Sequence, residues 1–378
     1  MKFDTKTVQF QQKMDAANVS KGQPIYQTTA FAFKDLDDLE DFFRGKKDFL
    51  YTRVGNPNTD DLAAGVAQLE GAPKGVATSS GLSAVLAAVL SFAKHGDHIV
   101  ACEDLYGGTY QLMAHELASF GIEVSFVDFT DLNEVEKAIQ SNTKALYSES
   151  VTNPLLRVEN IEGIVSLAKK HELISVIDNT FATPYFIRPY ELGVDIVLHS
   201  ATKYIGGHSD VTAGVVVGRE EYMEQAKNKV VNLGANLSPF EAWLACRGLR
   251  TLSIRMERHA KNAQRLAEVL QGEVGVKKVY YPSTVSEKGN GAIVSMELDE
   301  TCDVNEFFKS LGWVKMVATL AGVDTSVSYP IATSHRQVPE ETRQKLAITP
   351  GLVRISVGIE DSGDIISALK QAVKASLR

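Results

Sequence analysis

Lys203 sits in the segment LHSATKYIGG, directly after Thr202 and shortly after Ser200. A lysine at such a place suits Schiff-base chemistry, because desolvation lowers the pKa of the amine. A solvated surface lysine is the plainer alternative. The hydroxyls of Ser200 and Thr202 suit phosphate oxygens. Asp178 closes the apolar run LISVID, and a carboxylate there needs a partner. It could hold a ring nitrogen protonated, or serve as a cap or salt-bridge residue. Ser80-Gly81-Leu82 opens an apolar helix pattern, where backbone N–H groups and a glycine allow an anion to approach. Ser80 is also an ordinary N-cap. Tyr106, followed by Gly107 and Gly108, could stack on a planar ring or cover the edge of the core. His199 and His208 read as structural histidines satisfied by local hydrogen bonds.

Taken together, these groups describe one chemistry: an anion cradle, an aromatic stack, an acid for a pyridine nitrogen and a lysine amine. Those are the protein contacts that pyridoxal phosphate requires. Nucleotide fingerprints are absent, since the chain has neither G-x-G-x-x-G after a strand nor G-x-x-x-x-G-K-[ST]. Cys102, Cys246 and Cys302 are too few and too scattered for a disulfide framework or a zinc site, and no metal is expected.

The elements that must position these residues alternate along the chain. GVATSS, HIVACED, IEVSFVDF, KALYSES, LISVIDN, DIVLHSA and AGVVVG read as strands. Helical patterns such as GLSAVLAAVLSFAKHG, TYQLMAHELASFG, DLNEVEKAIQ and IEGIVSLAKKHE lie between the earlier ones. Strands rich in Val and Ile, separated by helices, imply an α/β fold with a mostly parallel sheet covered on both faces. Ligands in such folds bind beyond the carboxyl ends of the strands, where the chemical groups cluster. Residues 1–48 read as an N-terminal arm, extended at QPIYQTTAFAF and helical at DLDDLEDFFRG. Residues 49–234 form the large domain, with a helix in DDLAAGVAQLEG that stops at Gly71. From 235 to 378 the pattern shifts to a smaller α+β domain, opening on a long and bent helical stretch from Ser238 to Gly272.

The chain has 378 residues, 44% hydrophobic and 23% charged, with a net charge of −8. At roughly 150 residues per domain that length corresponds to two or three domains. The acidic balance and the shortness of basic clusters such as Arg44, Lys46 and Lys47 disfavour nucleic acid and anionic membranes as partners. No stretch approaches the roughly 20 apolar residues of a spanning helix, and MKFDTKTVQFQQKMD lacks the apolar core of a signal peptide. The expectation is a soluble, cytoplasmic protein.

The segments YTRVGNPN, SSGLSA, DLYGGTY, SESVTNP, VIDNTF, LHSATKYIGGHSD and LVRISVGIED resemble the Cys/Met-metabolism pyridoxal-phosphate enzymes. That family includes cystathionine γ-lyase, β-lyase and γ-synthase and methionine γ-lyase, and the resemblance runs from about Pro24 to Gly358. It implies the fold-type I, aspartate-aminotransferase-like architecture, assembled as a homotetramer of tight dimers with shared active sites. By position, Lys203 would hold the cofactor covalently and shuttle protons, Asp178 would pair with the ring nitrogen and Tyr106 would stack on the ring. Gly81, Leu82, Ser200 and Thr202 would bind the phosphate, with Tyr51 and Arg53 reaching it from the neighbouring subunit. Arg354 would clamp the substrate α-carboxylate, with Thr319 beside it and Asn153 near the cofactor oxygen or that carboxylate. Tyr106 or Tyr51 would protonate the leaving sulfur.

Some positions depart from the family pattern. Val151 stands where proline is usual, and Asn58-Thr59 replaces the commoner Thr-Arg. VATLAGVDTSVSYP carries Thr319, Ala321, Asp324 and Thr325 where the family reads Ser-Leu-Gly-Gly and then Glu-Ser. Ala318 occupies a site where some γ-lyases carry a glutamate, and Gly108 one where methionine γ-lyases carry a cysteine. The resemblance implies a cystathionine lyase first, releasing cysteine or homocysteine, ammonia and a keto acid. Cystathionine γ-synthase and methionine γ-lyase are the alternatives, and a non-catalytic cofactor-binding homologue is the rival outside enzymology.

Overall fold

The structure, a computed structural model, describes residues 1–10, 20–336, 338 and 340–378. The stretch 11–19, within the expected arm, lies outside the described residues. Seven strands form the larger sheet: β1 (Lys74–Thr78), β2 (His98–Cys102), β3 (Glu123–Val127), β4 (Thr143–Glu149), β5 (Ile174–Asp178), β6 (Ile196–His199) and β7 (Gly214–Gly218). Their order is β1-β7-β6-β5-β4-β2-β3. The pairs β3–β2, β2–β4, β4–β5 and β5–β6 are parallel, whereas β7 runs antiparallel to both β1 and β6. Strands β2, β6 and β7 are buried at every residue, which their continuous apolar runs require. Because β1 and the five parallel strands share one direction, Thr78, Cys102, Glu149, Asp178 and His199 all end at the same edge.

Helices cover this sheet. Pro57–Glu70 begins three residues ahead of the expected start at Asp60, since the Asn56 side chain caps it and Pro57 fits the first turn. It ends at Gly71, left-handed at φ 79°. Gly81–Leu90 stops short of the expected end at Gly96. There the Ser91 hydroxyl donates to the Ala88 carbonyl at 2.6 Å and competes with the helical ladder. Among the described residues no helix is long and apolar enough to cross a membrane.

The expected long helix from Ser238 to Gly272 is two helices, Pro239–Leu249 and Leu252–Leu270. At the break the Gly248 carbonyl accepts from the Thr251 N–H, the Thr251 hydroxyl and the Arg255 guanidinium, at 3.1, 3.1 and 2.8 Å. The smaller sheet comprises β8 (Val276–Tyr280), β9 (Ile293–Leu298), β10 (Lys315–Met316), β11 (Ser326–Ser328) and β12 (Leu352–Ser356), ordered β10-β11-β12-β9-β8. All its pairs but β10–β11 are antiparallel. Its core joins Val353 and Ile355 to Phe307, Leu369 and the Leu266 and Leu270 end of Leu252–Leu270. The beginning of that same helix, Leu252 and Met256, belongs to the core of the larger sheet. Phe10 is also buried in the larger core.

Candidate active site

A cavity of about 260 Å³ opens at the shared edge of the larger sheet, closed on one side by β12 and the segment around Thr319. Lys203 enters it from the turn after β6. Thr202 ties that turn to Ala213, accepting from the Ala213 N–H at 3.0 Å. Arg255, itself buried, donates to the Tyr204 carbonyl at 2.7 Å and holds the turn from behind. Lys203 Nζ donates to Thr319 Oγ1 at 2.8 Å. Burial, reinforced by the nearby Arg354 charge, pushes the Lys203 amine down to about 8.

Ser80 both caps the helix Gly81–Leu90, accepting from the Ser83 N–H at 3.1 Å, and lines the cavity. The two readings of Ser80 are therefore compatible. The first N–H groups of that helix have no intrahelical acceptor, and those the Ser80 cap leaves open suit an anion. A Cβ on Gly81 would lie 2.8 Å from Ser200 Oγ, so only glycine lets the helix start and Ser200 close on one another. Leu82, Ser200 and Thr202 line the same cavity.

Asp178 and Glu149 end adjacent parallel strands in register. Asp178 Oδ1 accepts from Thr180 N and Thr180 Oγ1, at 2.9 and 2.6 Å. Thr180 Oγ1 in turn accepts from the Ser200 N–H at 2.8 Å, linking the acid to the anion cradle. Burial raises the carboxyl of Asp178 despite its Thr180 bonds. Burial and the Asp178 charge raise that of Glu149. Neither carboxyl has an ion-pair partner among the described residues. Glu149 Oε1 accepts from the Tyr106 N–H at 2.7 Å and fixes the start of the Tyr106-Gly107-Gly108 turn. A Cβ on Gly108 would come within 2.5 Å of the Tyr106 ring.

Arg354 lies in β12, 2% exposed. Its Nη1 donates to Asn153 Oδ1 at 2.8 Å, while its buried Nε has no partner. No carboxylate of the described residues forms an ion pair with it. Burial brings its guanidinium down to about 10.

Lys203, Asp178, Tyr106, Gly81, Leu82, Ser200, Thr202, Asn153, Thr319 and Arg354 thus share one cavity. Tyr51 and Arg53 do not line it. Tyr51 bridges Ala30, and Arg53 stacks over the Tyr51 ring at 5.6 Å and donates to the Val231 carbonyl at 3.2 Å. Sequence reasoning missed Glu149, Thr180, Arg255 and Ser334. Glu149 and Thr180 had a signal, since each lies at or just past the end of an apolar strand run. His208 bonds locally to the Gly206 carbonyl, whereas His199 Nε2 meets Glu70 from a distant helix and its buried Nδ1 has no partner among the described residues. Cys102, Asp104 and Glu159 lie as close together as metal ligands do, but the Arg157 guanidinium lies between the two acids, 2.8 Å from each.

Pyridoxal phosphate fits this site on the structure's own terms. The buried Glu149 and half-buried Asp178 carboxyls, neither with an ion-pair partner among the described residues, suit a ring N–H, the glycine-opened helix start with Ser200 and Thr202 suits a phosphate, and the Lys203 amine opens into the same cavity. The family model for Cys/Met metabolism PLP-dependent enzymes matches residues 4–374. The cystathionine beta-lyase of Lactococcus lactis subsp. cremoris is 40% identical over 362 residues, 93% of each chain. The L-methionine gamma-lyase of Porphyromonas gingivalis is 41% identical over 365 residues, 93% of this chain and 92% of its own. The crystal structure of cystathionine gamma-lyase from Lactobacillus plantarum, complexed with L-serine, superposes with a TM-score of 0.92 at 36% identity, covering 100% of this chain and 99% of that one. The fold is fold-type I, the cofactor is pyridoxal 5'-phosphate, and the chain belongs to the Cys/Met metabolism PLP-dependent enzymes.

Proposed function

We propose that this protein is a carbon–sulfur lyase that cleaves cystathionine to cysteine or homocysteine, ammonia and a keto acid. The observation that carries the reading is Arg354: a buried guanidinium with an unpartnered Nε and no carboxylate calls for an anionic ligand. The α-carboxylate of an amino acid supplies one, with Asn153 orienting the fork. When bound, pyridoxal phosphate supplies an electron sink for the pair released at Cα.

The chain's own residues do the rest. With the cofactor bound, Gly81, Leu82, Ser200 and Thr202 would hold its phosphate, Asp178 would keep a proton on the ring nitrogen, and Tyr106 would cover the ring. Lys203, with its amine lowered towards neutrality, takes the Cα proton, and Thr319 aims Nζ. Sulfur on Cβ then departs with the electrons of the C–S bond, or sulfur on Cγ does so after a second proton is lost from Cβ, and it receives a proton, for which Tyr106 is the cavity's phenol. Water then converts the carbon fragment to keto acid and ammonia. Tyr51 and Arg53, outside this chain's cavity, complete the phosphate site of a second copy, so the working unit is a homo-oligomer.

The test is to supply the holoenzyme with cystathionine, or with an acylated homoserine plus cysteine. Release of pyruvate or 2-oxobutyrate with a thiol from the first is expected. Thioether formation from the second, with no keto acid from the first, would replace the lyase with a γ-synthase.

A further inference from the structure

Ser334 lines the cavity alongside Arg354 and Lys203, and nothing in the reaction above uses it. Its hydroxyl lies 2.9 Å from Nδ1 of His335. His335 is buried, and its Nε2 lies 3.1 Å from the Asn153 carbonyl oxygen. A carbonyl can only accept, so Nε2 carries the ring hydrogen. Burial opposes a second proton on the ring and brings it down to about 4, with the Arg354 charge acting in the same direction. Nδ1 therefore presents a lone pair, and Ser334 must donate its single hydrogen to it. What the hydroxyl has left is acceptor capacity alone. Asn153 binds His335 through its carbonyl and Arg354 through its amide, so this acceptor is held in register with the carboxylate clamp.

Resting on the lyase reading, we infer that Ser334 is a specificity-determining residue. It accepts a hydrogen bond from a donor on the substrate beyond the sulfur, with His335 as its positioning residue. The distal ammonium of cystathionine is such a donor, whereas the tail of a plain alkyl thioether has none.

The test compares kcat/KM of the holoenzyme for cystathionine with that for the analogue lacking the amino group of the half that leaves. Two such analogues exist, S-(3-carboxypropyl)cysteine and S-(2-carboxyethyl)homocysteine, and the one that is turned over is used. Ser334→Ala is expected to reduce the preference for cystathionine about tenfold, the scale of one hydrogen bond to a charged group. Ser334→Thr, which keeps the hydroxyl, should restore it, and His335→Phe should lower it as Ser334→Ala does. An unchanged preference in Ser334→Ala overturns the inference while leaving the lyase intact. Failure of the wild type to release keto acid from cystathionine overturns the lyase reading itself, and this inference with it.

Discussion

Nη1 of Arg354 and Oδ1 of Asn153 meet at 2.8 Å, joining the middle of the smaller sheet to the loop that follows β4 of the larger one. Each half of the molecule contributes one partner, so the clamp forms only when both sheets are in place. Replacing Arg354 by Ala should lower kcat/KM for amino-acid substrates about 10²- to 10³-fold, within the roughly 2–5 kcal/mol of a desolvated charge pair. The loss should appear mainly as a higher KM. Arg354→Lys should recover little of it, because a point charge lacks the two-pronged geometry. Steady-state kinetics on both variants check this, and an unchanged KM in Arg354→Ala removes Arg354 from substrate binding.

Lys203 makes stability depend on pH in a stated direction. Its amine falls from 10.5 to about 8 on folding, so between those values the unfolded chain holds more protons. The cost of burying an ammonium is full below about pH 8 and disappears as pH rises towards 10.5. Lys203→Met removes that cost. The cofactor-free variant should therefore exceed the cofactor-free wild type in stability at pH 7, with the gap narrowing steadily between pH 8 and pH 10. Urea unfolding at a series of pH values measures it. A gap that is constant with pH would mean that Lys203 titrates alike folded and unfolded.

Glu149 holds the Tyr106 N–H and also adds a second acid beside Asp178. Glu149→Gln keeps an acceptor and removes the acid, whereas Glu149→Ala leaves the Tyr106 N–H without its acceptor. Glu149→Ala should lose about 1–3 kcal/mol of stability relative to Glu149→Gln, the cost of an orphaned donor. Denaturant melts of the two variants decide this, and equal losses would show that the Tyr106 hydrogen bond contributes nothing.

Arg53 lies against Val231 and Tyr51 rather than in the cavity of its own chain. If it serves a second copy, Arg53→Ala and Lys203→Ala are each impaired alone. Refolded together, they should regain a fraction of wild-type activity, because some mixed sites hold both residues. Wild-type chains carried through the same cycle control for recovery. No regain would place Arg53 and Lys203 at the same chain's site, or Arg53 at none.

Much of this site was legible because its residues lie at the ends of apolar strand runs. ISVID, IVLH and KGVAT point to Asp178, Ser200 and Ser80 without any knowledge of which strands are neighbours. What could not be read was whatever depends on strand order. Glu149 and Asp178 become a pair only because β4 and β5 are adjacent, and Thr180 reaches Ser200 only because β6 lies beside β5. The insertion of β7 antiparallel between β1 and β6 is likewise a tertiary outcome. The helix Glu220–Leu233 had a readable pattern, burying Met223, Ala226 and Val230, but its charged face masked it. The break at Arg250 depends on Arg255 reaching back to Gly248, which helical periodicity does not encode.

In the reaction proposed above, Lys203 carries the Cα proton in a pyridoxal-phosphate site built by this chain. Exchange of the α-proton of L-alanine in D₂O, followed by NMR, tests it without depending on which C–S bond is cleaved. The holoenzyme should exchange that proton, and Lys203→Ala, still loaded with cofactor by its visible absorbance, should be slower by at least about 10²-fold, the scale of a positioned general base. Exchange by Lys203→Ala at the wild-type rate would mean that a group other than Lys203 carries the Cα proton.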